Sequence, residues 1–305
     1  PKEFFGMIAN LDENLGKLEQ FLKETGLREN TLVVFLTDNG GTQGVRVYNA
    51  NMRASKTQIY DGGHRVPCFV RWPQGKLRPV GDIDTPAQVQ DILPTVIDLC
   101  GLKAKAKFDG VPLTPLLRGT GAIADRMFVV QYGQVPKKFD ADVIWGKWRL
   151  VKGEELYDFR ADVSEKSNLA AQHPDVVVKM RAHYEKWWAE LEPGLAVACP
   201  LSIGAPQENP VILTSSDWWE IYADNVGHVS NAVGGPRGAH WTVAVERAGT
   251  YEIALSRWPF DQNLPLTAPR EPQKLTKGTL PAGKALPIAG AKLEVAGQQF
   301  TQKSG

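Results

Sequence analysis

The sequence predicts an α/β protein carrying a small antiparallel sheet, followed by an all-β region. Three observations carry that expectation. An amphipathic helix leads through a short loop into a continuous apolar strand; a second strand and a proline-initiated helix follow; and past residue 194 helical periodicity gives way to strand-like alternation. A length of 305 residues fits about two domains.

The elements follow in chain order. Phe4, Met7, Ile8, Leu11, Leu15, Leu18 and Leu22 recur at spacings of three and four, one apolar stripe on one helix, and Gly26 stands where its C-terminal cap belongs. Residues 32–36 (Leu-Val-Val-Phe-Leu) are apolar on both faces, the habit of a parallel strand covered by helices on both sides. Residues 66–72 form a second strand, ended by Pro73-Gln74-Gly75. Thr85 is placed to cap a helix with Pro86 at its first position and Gly101 beyond its end. Val89, Ile92, Leu93, Val96 and Ile97 make that helix's buried stripe, with a kink expected at Pro94. Residues 127–131, 143–151 and 156–159 are short strands of a small antiparallel sheet, and a helix over 174–191 turns Val177, Met180, Tyr184, Trp187 and Trp188 inward. After Glu192-Pro193-Gly194 the composition shifts. Residues 240–246 and 251–255 alternate around Ala248-Gly249, which reads as a β-hairpin. No convincing helix is expected over 200–305, nor a closing strand at Gln302-Lys303-Ser304-Gly305. The expected division is 1–195, with the small sheet at about 125–195, and 196–305.

Composition excludes several classes. Lys plus Arg number 35 against 34 for Asp plus Glu, so charge gives no reason to expect nucleic acid or an anionic membrane as partner. There is no apolar run long enough for a helical membrane span. Cys68, Cys100 and Cys199 allow one disulfide at most and form no CxxC metal signature.

Chemistry collects behind the first strand. Residues 37–41 read Thr-Asp-Asn-Gly-Gly, at the carboxyl end of a strand, where open α/β sheets place ligands. Asp38 and Asn39 offer hard oxygen donors, which suit Ca²⁺ or Mg²⁺ rather than zinc. Asp-Asn-Gly also serves as a plain turn after a strand. Further on, Lys56 precedes Asp61-Gly62-Gly63-His64-Arg65-Val66-Pro67. A lysine aimed at a metal-bound oxyanion would supply a compact positive charge, although a single lysine is most often a solvated surface residue.

In this order, helix, apolar strand, T-D-N-G-G, lysine, D-G-G-H-R-V-P and a strand closing in R-W-P, the chain resembles the C-terminal part of sulfatase catalytic domains, which have an alkaline-phosphatase-like fold. Leu156-Tyr157-Asp158-Phe159 and residues 162–171 (D-V-S-E-K-S-N-L-A-A) continue the resemblance, as does the helix ending Tyr184-Glu185-Lys186-Trp187-Trp188; it covers about residues 3–192. The resemblance implies hydrolysis of organic sulfate monoesters (aryl or carbohydrate sulfates) with one divalent cation, Ca²⁺ foremost and Mg²⁺ as the alternative. It implies Asp38 and Asn39 as two ligands of that cation and Lys56 as a catalytic residue touching the sulfate oxygens and the leaving oxygen. His64 is a lesser candidate for substrate contact and matches no catalytic histidine of the family.

The resemblance also implies a formylglycine nucleophile made from Cys or Ser in C/S-x-P-S-R. None of the three cysteines stands in that motif, so the nucleophile is expected in an N-terminal half outside this sequence, and the chain alone is expected to be inactive. The expected partner is a sulfated small molecule or glycan, in an exported bacterial protein. A phosphate- or phosphonate-ester hydrolase of the same superfamily is the rival reading; Asn39, where such enzymes carry His for a second metal, favours the sulfatase. A second rival is carbohydrate binding by the β region through Trp218, Trp219, Tyr222, Trp241, Tyr251 and Trp258. Against it stands the alternation of Trp241 and Tyr251 with Val and Ile as core residues; the adjacent Trp218 and Trp219 are the exception, since one of two neighbouring strand side chains must face outward.

Overall fold

The computed structural model describes residues 2–133, 136–219, 226–232, 239–276, 278–295 and 297–303. The chain divides into two units at Pro193/Gly194.

In the first unit, helix α1 (Lys2–Glu24) leads to strand β1 (Val33–Leu36). A one-turn helix α2 (Asp61–His64) precedes strand β2 (Cys68–Arg71). Only Leu22 of α1 is buried; Met7, Ile8, Leu11, Leu18 and Phe21 of its apolar face are exposed. The expected parallel arrangement is corrected here: β1 and β2 pair antiparallel, with Val34 opposite Val70 and Leu36 opposite Cys68. A parallel pair needs a long crossover element. Between these strands lie a four-residue 3₁₀ turn (Gln43–Arg46) and the four-residue α2, both too short for such a crossover, and the chain returns in the opposite direction. Val34, Cys68 and Val70 line an apolar gap with Ile92, Val96 and Leu99, so helix α3 (Ile92–Leu99) covers that face.

The helix expected from Thr85 starts later, at Ile92. Gln88 and Asp91 form a capping box on a single 3₁₀ turn (Val89–Asp91). The Asp91 carboxylate also binds Arg126 and accepts from the Val111 N–H at 2.9 Å. This held carboxylate fixes the start, and it leaves Val89 and Leu93 exposed rather than in the stripe. Pro94 then falls in the first turn, where a missing N–H leaves no hydrogen bond unmade. A short helix α4 (Thr114–Arg118) follows.

The small antiparallel sheet forms as expected, as a four-stranded meander: β3 (Met127–Gln131), β4 (Ala141–Trp145), β5 (Trp148–Val151) and β6 (Glu155–Asp158), in that spatial order. The run 143–151 is two strands, folded at Gly146-Lys147. Alternation splits the sheet into two faces. Ala141, Val143, Leu150 and Leu156 pack on helix α5 (Pro174–Leu195), which buries Met180, Tyr184 and Trp188, one turn apart, against them. The opposite face carries Asp142, Arg149, Val151, Glu155 and Tyr157, and packs on the segment around Ile59 and Tyr60.

The second unit contains β7 (Leu201–Ile203), helix α6 (Val226–Asn231), β8 (Val243–Val245), β9 (Gln273–Lys274), β10 (Thr279–Leu280), β11 (Gly290–Val295) and β12 (Gln298–Lys303). Three expectations are corrected. A short helix, α6, is present. The hairpin of 240–246 with 251–255 does not form: β8 pairs in parallel with β7, and Tyr251, Ile253 and Leu255 lie exposed outside any strand. Alternation identifies a face but not a partner, and the edge of β8 is taken by a segment about forty residues upstream. The chain also has a late strand, since β12 pairs with β11 through Val295 and Gln298. Trp258 is core, 4 % exposed and flanked by Arg257 and Arg270. Trp218 meets Trp241 edge-on at 5.6 Å, and Trp219 is half-buried. Tyr222 lies outside the described residues. No helix among the described residues is long and apolar enough to cross a membrane.

Candidate functional site

Residues 37–41, 53–56 and 61–64 are brought together at the carboxyl end of β1, and backbone hydrogen bonds knit them. The Gly40 N–H donates to the Gly63 carbonyl at 2.9 Å, the Lys56 N–H to the Gly41 carbonyl at 3.0 Å, and the Gly62 N–H to the Arg53 carbonyl at 2.8 Å. Three glycines permit this approach. A Cβ on Gly40 would lie 1.9 Å from the Gly62 oxygen, one on Gly63 1.8 Å from the Gln58 oxygen, and one on Gly62 2.5 Å from the Ala54 oxygen. All three obstacles are backbone, so no side-chain movement relieves them. Ala54 and Thr57, on either side of Lys56, have φ of +70° and +78°. Such strain in non-glycine residues is characteristic of segments held for function.

Asp38 is exposed and Asn39 half-buried. The Asn39 Nδ2 donates to the Gly40 carbonyl at 2.8 Å, which leaves its amide oxygen as the free acceptor end. An exposed carboxylate beside an amide oxygen is an oxygen-only donor set, matching a hard divalent cation in type and supplying two of the six to eight ligands Ca²⁺ takes. Among the described residues no group of three or more His, Cys, Asp or Glu side chains could hold a metal. Lys56 is exposed, and its backbone is fixed one residue beyond the Asp38-Asn39-Gly40 turn. Cys68, Cys100 and Cys199 are free thiols.

His64 is placed differently. It turns into the sheet, where Arg149 Nη1 lies 2.5 Å from its Nε2 and Asp142 3.6 Å away. A guanidinium only donates, so Nε2 accepts and the ring is neutral. Burial first, and the Arg149 charge second, pull its pKa down to about 3. The ring is therefore committed to a buried ionic cluster, unrecognised from sequence, in which Arg149 meets Asp61, Asp142 and Glu165 at 2.5, 2.6 and 3.1 Å. Beside it, Arg53 stacks on the Tyr60 ring at 3.6 Å and donates to the Tyr157 hydroxyl and the Glu165 carbonyl. Burial and then the bond to Glu155 push the Tyr157 phenol up to about 12, so it remains a donor. A signal for this cluster exists in the sequence: Asp142 and Arg149 are charged residues inside short, otherwise apolar strands.

Part of the chain is similar to known proteins. Residues 2–102 match the family model described as Sulfatase. Arylsulfatase A of Homo sapiens is 36% identical over 186 residues, 57% of this chain and 36% of that protein. Steryl-sulfatase of Mus musculus is 36% identical over 135 residues, 41% of this chain and 22% of that protein. Among solved structures, Ps i-CgsB superposes with a TM-score of 0.54 at 28% identity, covering 60% of this chain and 42% of that one. The chain thus spans well under half the length of these relatives. By the family model, the curated relatives and the solved fold together, the chain is similar to sulfatases over part of its length, with residues 2–102 matching the family model.

Proposed function

We propose that this chain supplies part of the active site of a sulfatase, an enzyme that hydrolyses an organic sulfate monoester to an alcohol and sulfate, within the C-terminal portion of an alkaline-phosphatase-like domain. The observation that carries the reading is the glycine-mediated convergence of Asp38, Asn39 and the Lys56 backbone at one strand end. Asp38 and Asn39 would hold one divalent cation, Ca²⁺ by the donor type, by two oxygens. When bound, that cation draws electron density from the sulfate oxygens. Lys56 adds an ammonium that neutralises charge developing on the sulfate and on the departing oxygen. The nucleophile is a formylglycine contributed by residues outside this sequence, and the substrate is a sulfated small molecule or glycan.

A phosphate- or phosphonate-monoester hydrolase is the rival, and Asn39 argues against it, because an amide does not replace the imidazole a second transition-metal ion prefers. In the whole protein, Lys56→Ala lowers kcat/KM for a chromogenic aryl sulfate by about two to three orders of magnitude, as expected for losing one preorganised donor to a developing oxyanion. Residues 1–305 alone, with two cation donors and no nucleophile, turn over none. Undiminished turnover in the Lys56→Ala protein, or turnover by the 305-residue chain, overturns the assignment.

A further inference from the structure

The α2 turn orients the candidate site, yet it has little side chain by which to be held. Gly62 and Gly63 are bare because the Arg53–Gln58 backbone fills the space a Cβ would need. The anchors are at the two ends, and both reach one group. Arg149 of β5, 2 % exposed, donates Nη2 to Asp61 Oδ1 at 2.5 Å, and its Nη1 lies 2.5 Å from His64 Nε2. The same Nη1 reaches Asp142 Oδ2 of β4 at 2.6 Å, and Nε lies 3.1 Å from Glu165 Oε1. Glu165 closes the ring, because its Oε2 accepts from the Asp61 backbone N–H at 3.0 Å. The turn is thereby bolted to the meander, and Gly63, inside it, receives the Gly40 N–H.

We propose that Arg149 is a positioning residue: its guanidinium fixes both ends of the Asp61–His64 turn and, through the Gly63–Gly40 hydrogen bond, sets where Asp38 and Asn39 stand. It touches neither cation nor substrate and acts through these residues. The structural part stands by itself; its consequence for catalysis rests on the sulfatase reading above. The planar fork is essential, since a lysine ammonium cannot meet Asp61, His64, Asp142 and Glu165 in those directions at once.

Amide hydrogen exchange on the 305-residue chain tests it. Arg149→Met is expected to speed exchange at Gly40 and Gly62 at least about tenfold by local opening, with the β11–β12 hairpin amides unchanged. Arg149→Lys recovers part of that protection. In the whole protein, Arg149→Met raises the Ca²⁺ concentration for half-maximal aryl-sulfate hydrolysis several-fold, and Arg149→Lys partly restores it. Should Arg149→Met fail to fold, Glu165→Gln, whose amide oxygen still accepts from Asp61, gives a smaller acceleration at the same amides. Native exchange at Gly40 in folded Arg149→Met, or in Glu165→Gln, overturns the positioning role. A native whole protein without sulfate-ester turnover overturns the sulfatase reading and leaves the exchange result standing.

Discussion

Gly40→Ala probes the close approach on which the candidate site is built. Gly40 has an ordinary φ, so the substitution meets sterics alone, and the three nearest atoms all belong to the Gly62–Gly63 backbone. The new Cβ would stand 1.9 Å from the Gly62 oxygen, where real Cβ atoms keep at least 3.0 Å. The two segments must separate by about 1 Å. The Gly40–Gly63 hydrogen bond, 2.9 Å long, then stretches to about 4 Å and is lost. Losing this backbone bond between two buried glycines costs about 1 kcal/mol and the residual overpacking about 1–3 kcal/mol. Spread over a unit of this size, the loss lowers Tm by about 5–15 °C. Because Asp38 and Asn39 move with Gly40, kcat/KM of the whole protein falls about a hundredfold, the usual cost of a 1 Å misplacement. Thermal unfolding and aryl-sulfate kinetics measure the two effects. Gly16→Ala is the control: nothing lies within 4 Å of its Cβ, and a helix gains about 0.5–1 kcal/mol from the change. A Gly40→Ala chain that melts with the native protein refutes the packing argument.

The buried cluster predicts an unusual pH profile. Full burial, against the pull of Arg149 and with the repulsion of Glu165 and Asp61, pushes the Asp142 carboxyl up to about 7. The folded state therefore holds a proton that the unfolded chain releases near pH 4, and this contribution to stability is lost as pH rises through about 4–7, worth roughly 4 kcal/mol. His64, at about 3, runs the other way: the unfolded chain takes the proton between about 3 and 6.5, so that contribution grows as pH rises. The two slopes oppose each other in the native protein, so its Tm varies little between about pH 4.5 and 6.5. His64→Gln, whose amide oxygen still accepts from Arg149, uncovers the Asp142 slope, and Tm then falls steadily over that range; a flat profile in this variant contradicts the charge assignment. In the meander core, Met180 is fully buried, so Met180→Ala costs about 2–5 kcal/mol, read by urea unfolding, and a loss below 1 kcal/mol shows that α5 is not packed as described.

The legible parts of the fold are those that local periodicity decides. The α1 stripe and the Met180–Tyr184–Trp188 ladder recur at three or four residues, β1 is a short continuous apolar run and the meander strands alternate at two, patterns that backbone geometry reads directly. What periodicity cannot carry is the partner. The direction of the β1–β2 pair depends on the route of some thirty intervening residues, and the β7–β8 pair joins segments about forty residues apart. The start of α3 at Ile92 was set by the Asp91 carboxylate and its contacts with Val111 and Arg126, not by the better-looking Thr85-Pro86 signal. At the candidate site the order of short motifs marked Asp38, Asn39 and Lys56, whereas His64 lies turned inward. Asp142 and Arg149 escaped notice for a definite reason: a polar residue alternating with apolar ones reads as solvent-facing, and nothing local says that the segment from Arg53 to Arg65 covers that face.

The glycines and the ionic cluster answer the same mechanical problem. Bringing three backbone segments within hydrogen-bonding distance required removing side chains at Gly40, Gly62 and Gly63, and a turn without side chains has nothing to wedge it in place. An apolar anchor would serve for stability, and a buried ion cluster is a weak way to gain it, because desolvation offsets most of the attraction. Three buried carboxylates around one guanidinium and a neutral imidazole make the imbalance worse, as the raised Asp142 and Glu165 carboxyls record. What the cluster supplies instead is direction: Arg149 has one planar fork, with Nη2 on Asp61 and Nη1 between His64 and Asp142, and a shifted turn would break its bonds to Asp61 and His64 at once. A small loss in stability is thus exchanged for a fixed orientation, and that orientation is passed by a single Gly63–Gly40 hydrogen bond to the two residues offered as cation ligands.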